Sequence, residues 1–423
     1  MSTRHRNGPH RRLLVDRQLP PRPRELQAQL NRRHRLRVRW LGYFCLPLAL
    51  LIRAISPFLL ISFGHLLRHK IGHCPLEAEF YLLERQLGLQ PKRAIDLFYF
   101  ARGTDGLPAN LFAQLLVTRA LPVSPVFEWL DAACRHLDGG KRHLVSIACR
   151  DRHRFADRDR LMQRMRQQID LSPEDEAIGA AELEAIGVPK GAKFVCFHAR
   201  DEQYWKDRRP GIKGDSDFRN SDLSHYIPAM QAVTDRGYYV VRLGHSGSTP
   251  LEAVDNPRII DYATRHRSEF MDLYLAGRCH LMVSTASGID AISYMFRRPM
   301  VFVNVAAWGY MSVNIAQPFS CIFKRFRRHG QLMTFNEVVD AGAQDFATTP
   351  EFEAAGIELE ENSSDEIMAA VLEMIDRLEG KPEAPSDAEL RTRMKTIIGR
   401  LPRYADWQFD VAATYLAKYR SLL

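Results

Sequence analysis

The residues best suited to chemistry stand at the end of an apolar run. Phe194-Val195-Cys196-Phe197 is followed at once by His198, Arg200, Asp201 and Tyr204. A guanidinium grips a diphosphate through paired N–H donors, and a carboxylate or imidazole beside a hydroxyl takes its proton. Arg200 is therefore a candidate anion ligand, with Tyr204 beside it, and Asp201 and His198 are candidate general bases. The competing reading is a structural ion pair between Arg200 and Asp201.

Two more loops have anion-binding composition. Ser284-Thr285-Ala286-Ser287-Gly288 lies between a strand-like and a helix-like stretch, where small residues, hydroxyls and a helix start can offer donors to a phosphate. Ser284, Thr285, Ser287 and Gly288 join the candidate set, although an ordinary helix cap has the same composition. Leu243-Gly244-His245-Ser246-Gly247-Ser248, entered from Arg242, has the same character and adds Arg242 and Gly244. It lacks GxGxxG spacing, and no GxxxxGK[ST] occurs in the chain, which argues against an NAD or Walker-type ATP site. Asp215-Ser216-Asp217 spells a DxD, but in a long polar loop it reads as solvated charge, so no metal is expected.

The elements that must hold these loops are legible. Strands are expected at 193–198, 238–243, 280–284 and 300–304, with helices at 224–235, 269–276 and 288–296 between them. Such alternation predicts a parallel sheet, and ligands bind such sheets beyond the carboxyl ends of the strands. Ser363-Ser364-Asp365-Glu366 is a capping box opening a further helix, which explains Asn362-Ser363-Ser364 better than a glycosylation site does. Residues 188–378 therefore form one doubly wound α/β domain. A smaller α/β domain over 65–187 is expected from a helix after Cys74, a strand at 94–100, a helix at 110–119 and a strand at 142–148. The last stretch, 379–423, adds helices expected to pack back across the first domain.

The chain of 423 residues is 46% hydrophobic and 26% charged, ordinary for a globular protein of two or three domains. Its net charge of +9 is not spread evenly: residues 1–39 hold twelve Arg against Asp16 and Glu25 alone. The body is near neutral, so no nucleic-acid surface is expected, and RNA binding by the arm is the lesser reading. The arm itself is expected to be disordered. Residues 40–64 follow as an apolar segment whose only charge is Arg53, interrupted by Pro47 and Pro57. The central charge disfavours a span, and the long arm before it disfavours a signal peptide. Residues 1–64 are expected to associate with an anionic membrane surface; the competing reading is a buried helix. The seven scattered cysteines contain no CxxC and suggest a reducing compartment, placing the protein at the cytoplasmic face of the plasma membrane.

The succession KFVCFHARDEQY, FRNSDLSHYIPAM, RGYYVVRLG, NPRIIDYA, SEFMDLYLAGRCHLMVSTASGID and RRPMVFVN, with HKIGHCPLEAEFYL before them, resembles a family of bacterial glycosyltransferases found with surface-polysaccharide genes. More distantly, His198-Ala199-Arg200 is similar to the H-x-R-R signature of GT-B fold fucosyltransferases, with Asp201 where those enzymes have a second arginine. The resemblance implies a GT-B-like fold of two Rossmann-like domains and transfer of a sugar from a nucleotide-sugar to a glycan or lipid-linked acceptor. It further implies Arg200 and the Ser284–Gly288 loop at the diphosphate, Glu361 near the ribose, and Gly72 and His73 facing the acceptor, with the nucleotide-sugar as substrate and no cofactor. The alternatives are a pyruvyl or other group transferase on a similar scaffold, and a non-catalytic membrane-peripheral assembly protein.

Overall fold

The computed structural model describes residues 24–102, 107–147, 150–151, 154–155, 157, 159–208, 216–251, 254–308, 311, 318–401 and 410–423. The Arg-rich arm is helical from its twenty-fourth residue: α1 runs Arg24–Phe44 and α2 runs Leu46–Ile55 after a 62° bend. The expectation of a disordered arm through residue 39 is thus corrected over 24–39. The apolar segment is also shorter than expected. Its last residues enter strand β1 (Leu60–Leu67), where Phe63 is buried, so a boundary at 64 would cut a sheet strand in half. A continuous apolar run carries no periodicity that separates buried strand from helix.

β1 pairs in parallel with β2 (Ala94–Ala101), in register from Leu60 opposite Ala94 to Leu67 opposite Ala101. Single bridges from Phe63 to Leu144 and from Phe98 to Val123 widen this sheet on both sides. The strand expected over 142–148 is reduced to that one bridge, because residues 140–143 wind into a 3₁₀ turn whose His143 Nδ1 lies 2.7 Å from the Ile61 carbonyl. Around the sheet pack α3 (Cys74–Gln86), α4 (Leu111–Ala120), capped by the Asn110 side chain, and α5 (Val126–Arg135).

The second unit is a seven-stranded parallel sheet built from β3 (Phe194–His198), β4 (Tyr239–Leu243), β5 (Ile259–Ile260), β6 (Leu281–Ser284), β7 (Met300–Val305), β8 (Phe319–Phe323) and, after a small antiparallel sheet (β9 Arg325–Arg328, β10 Gln331–Leu332 and β11 Ile357–Glu360), β12 (Asp410–Val411). Its spatial order is β12-β8-β7-β6-β3-β4-β5. Counted within the unit, the first six strands lie in the order 3-2-1-4-5-6, which reverses between β3 and β6. Such a reversal opens a crevice at the carboxyl ends of the two strands. The strands are buried on both faces, as parallel strands between helical layers must be.

α6 (Ile227–Asp235), α7 (Glu269–Arg278), α8 (Asp290–Met295) and α9 (Ser364–Leu378) connect and cover this sheet, and Ser363 and Glu366 make the expected reciprocal cap. Asn362 itself is fully buried. Among the described residues the C-terminal segment packs on the second unit. β12 adds to the β8 edge, and the helices Pro385–Gly399 and Ala413–Lys418 pack on the second unit, where Arg391 donates to the Val411 carbonyl.

The two α/β units, one built on the small parallel sheet and the other on the seven-stranded one, face one another across a cleft. They are joined by polar as well as apolar contacts. Phe112 meets Phe270 edge to face at 4.8 Å, the Asn110 amide donates to the Glu269 carbonyl at 2.8 Å, and Arg297 pairs with the buried Glu79 at 3.0 Å.

Candidate functional site: the cleft at the sheet reversal

β3 and β6 end side by side, with His198 opposite Ser284. Beyond them opens a cavity of about 570 Å³ between the units. His198, Arg200, Asp201, Arg219, Gly244, His245, Ser287, Gly288 and Asp290 line it from the second unit, and His69, Lys70, Gly72 and His73 from the first.

Arg200 is the best-placed cation. Its backbone N–H donates to the Thr285 hydroxyl at 3.2 Å, and its guanidinium donates to the Ser216 carbonyl at 3.1 Å. Among the described residues no carboxylate lies within ion-pairing distance of it, so the pair with Asp201 is not formed. Burial, aggravated by the nearby Arg219, lowers its pKa to about 9. Arg219 donates to the Ala286 carbonyl, a residue held at φ +57°. Two guanidiniums in one partly dry cleft repel each other, and an anion between them relieves both the repulsion and the desolvation.

His198 Nδ1 lies 3.4 Å from the Ser284 hydroxyl. Burial first, then the fields of Arg242, Arg200 and Arg219, lower its pKa to about 4 against the opposing pull of Asp201. The ring is neutral at physiological pH, and a base of that strength is poorly matched to taking a proton near neutrality.

The Ser284–Gly288 loop is arranged differently from the expectation. Ser284 and Thr285 are buried beneath the cavity, and only Ser287 and Gly288 reach it from the candidate set. The Ser287 amide is already taken by Asp290 Oδ2. Asp290 is 4% exposed and its Oδ1 has no hydrogen-bond partner. Burial raises its pKa to about 7, although Ser284, Ser287 and Arg219 pull the other way. This half of the loop holds a carboxyl, not a vacant phosphate nest.

Other candidates are placed elsewhere. Arg242 is 2% exposed, pairs with Asp261 at 3.0 Å and donates to the Thr249 carbonyl, which closes the turn after β4 instead of lining the cavity. Glu361 accepts the Asp222 amide at 2.9 Å and lies 3.6 Å from Lys324, outside the cavity lining. The Tyr204 side chain and Asp215 lie outside the described residues, so neither is placed; Asp217 belongs to a 3₁₀ turn. Among the described residues no group of His, Cys, Asp or Glu is arranged to hold a metal. Sequence reasoning missed Arg219 and Asp290. Each lies within a stretch singled out for other residues, and nothing local marks them.

The first unit closes on this loop through backbone. A Cβ at Gly72 would stand 2.8 Å from the Gly288 carbonyl oxygen, and one at Gly288 would stand 3.1 Å from Ile71 Cγ2. Gly72→Ala is expected to push the units apart at the cleft and lower stability by about 1–3 kcal/mol, the usual cost of overpacking. Thermal unfolding checks the stability, and an unchanged midpoint would show that the cleft is free to widen.

No protein-family model matches the sequence, and no curated protein gives a significant match. Among solved structures, E. coli ADP-heptose LPS heptosyltransferase II is 12% identical, over 62% of this chain and 90% of its own, with a TM-score of 0.37. A glycosyl transferase family 9 protein from Veillonella parvula DSM 2008 is 10% identical, over 62% and 85%, with a TM-score of 0.39. Likenesses this loose define neither a family nor an activity for the chain. Its own geometry defines an α/β protein with a cationic cleft between two parallel-sheet units.

Proposed function

We propose that the protein is a glycosyltransferase that moves a sugar from a nucleotide-sugar donor to a glycan or lipid-linked acceptor in cell-surface polysaccharide synthesis, working at the cytoplasmic face of the membrane. The observation that carries this reading is Arg200 beside Arg219 at the reversal point of the sheet, with no carboxylate among the described residues paired to Arg200, facing a cleft roomy enough for a nucleotide.

In this reading Arg200 and Arg219 hold the diphosphate and stabilise its charge as it leaves, which is where fixed donors lower a barrier most. The acceptor hydroxyl enters from the Gly72–His73 side. As its oxygen bonds to the anomeric carbon, the carbon–oxygen bond to the diphosphate breaks and a carboxylate takes the hydroxyl proton. Asp290 fits that role better than His198, because its pKa of about 7 suits a base working near neutrality. Neutral His198 bonds with Ser284 and orients the end of β3.

Calorimetry with the full chain and UDP, GDP, ADP, CMP or phosphoenolpyruvate tests the reading. One nucleotide is expected to bind, and between pH 5 and 6 its binding is expected to take up a proton. The sign follows from charge: a diphosphate beside His198 favours the imidazolium and raises a pKa that the empty site holds at about 4. Titrations in two buffers of different ionisation heat measure the uptake. Binding of phosphoenolpyruvate alone would instead favour the group-transferase alternative, and no binding at all the non-catalytic one.

A further inference from the structure

The bent pair α1–α2 leaves a large apolar surface uncovered. Trp40 (66% exposed), Phe44 (79%), Leu51 (57%) and Phe58 (80%) lie on it, with Leu48 and Leu50 between them. Monomeric proteins rarely leave so many large apolar side chains of one short stretch to water. Immediately before it, Arg32, Arg33, Arg35, Arg37 and Arg39 are exposed along α1. No Asp or Glu occurs between Glu25 and Glu77, so nothing acidic in this stretch neutralises them. An apolar face bordered by one-signed cationic charge matches the interface of an anionic bilayer, which offers acyl chains beside phosphate head groups. Trp40, at the junction of the two zones, is of the type that sits at head-group level.

The opposite face of the pair is spoken for. Ala49 and Ile52 are buried with Leu130, Ala133 and Cys134 of α5. His34 Nε2 lies 3.2 Å from Glu128, and the Tyr43 ring stacks on His136 at 5.5 Å. Arg53, the charge that made this segment ambiguous, turns toward the protein and donates to the Gly139 carbonyl at 3.3 Å. No single described helix is long and apolar enough to cross a membrane, and the bent pair that would suffice by length keeps one side on protein. A crossing would strip α5 from that side and bring Arg53 into lipid.

We infer that α1–α2 is a monotopic membrane-docking element: the Trp40, Phe44, Leu51 and Phe58 face lies in one leaflet of an anionic bilayer while α5 holds the other face. The surface does not depend on the activity of the cleft, and Leu60–Leu67 is no part of it.

Full-length protein, purified in detergent and transferred to vesicles, tests this by co-sedimentation. Vesicles of phosphatidylcholine with phosphatidylglycerol are expected to bind it at least tenfold better than phosphatidylcholine alone, with the preference weakening in high salt. The triple variant F44S/L51S/F58S is expected to lose binding by at least tenfold with an unchanged unfolding midpoint, since these side chains are exposed. Alkaline carbonate should release the wild type. Equal binding by the variant, failure of wild type to bind either vesicle, or resistance to carbonate extraction overturns the inference. So does a wild-type dimer that the triple variant converts to monomer, since a second copy would then be the occupant.

Discussion

Arg200→Met is expected to abolish most nucleotide binding and activity while leaving the fold as stable as before, or more so. Arg200 is 9% exposed and its pKa is depressed to about 9 by burial and by Arg219. A cation whose folded pKa lies below its unfolded one costs stability at every pH below that folded value, so the cost is in full force at neutrality. Methionine keeps much of the volume and removes the charge. The price is the donor to the Ser216 carbonyl, typically about 1 kcal/mol. Nucleoside diphosphate affinity should fall by roughly 10- to 100-fold, the worth of charge-assisted bonds, and kcat/KM by roughly 100- to 1000-fold where the same donors stabilise the leaving charge. Calorimetric binding and thermal unfolding of the same preparation decide it. A midpoint several degrees lower with proportionate loss of activity would make Arg200 a brace for residue 216 instead of a ligand.

How much of this could be read from residues alone differs between the two units. The strands over 193–198, 238–243, 280–284 and 300–304 were legible because buried parallel strands are short apolar runs set off by polar loops, and β3, β4, β6 and β7 occupy those stretches. Their end loops follow from topology, so the cleft position at His198 and Arg200 was legible as well. Side-chain direction was not. Arg242, next to last in β4, pairs with Asp261, nineteen residues further along the chain and just past the neighbouring strand β5; sequence spacing says nothing of that pairing. Ser284 and Thr285 look like phosphate ligands by composition, yet the last strand residue and its successor point beneath the cavity. The first unit was harder. β1 merges with the apolar surface of α2, and only pairing with β2 reveals where the helix pair stops and the sheet begins. Asp290 was invisible for a different reason: an aspartate in a helix's first turn is what any helix favours, and its function-like character arises only from burial.

That burial gives the second large prediction. Asp290→Asn is expected to stabilise the protein at pH 8 and to cost activity. The aspartate's folded pKa, about 7, lies above the ordinary 3.8, so the native state resists ionising it. Below pH 4 both forms are neutral and the substitution should change little. From pH 4 to 7 the unfolded chain ionises while the folded one does not, and the wild type loses stability relative to the variant; above pH 7 the difference is constant, at most on the order of 4 kcal/mol. Asparagine keeps an oxygen for the Ser287 amide, so that hydrogen bond survives. Urea unfolding at pH 4, 6 and 8 should therefore give curves that separate as pH rises, the variant being the more stable. Activity should move the opposite way. If Asp290 takes the acceptor's proton, kcat/KM in the wild type falls on the acid side of pH 7, and the variant loses both that limb and roughly 100-fold or more of the rate. A variant equally stable at all three pH values would mean that the carboxyl is ionised in the fold, and one of undiminished activity would return the base to Asp201. Stability given up for a carboxyl with one oxygen unpartnered at a cleft is what a reacting group requires and what a loop-closing hydrogen bond alone does not.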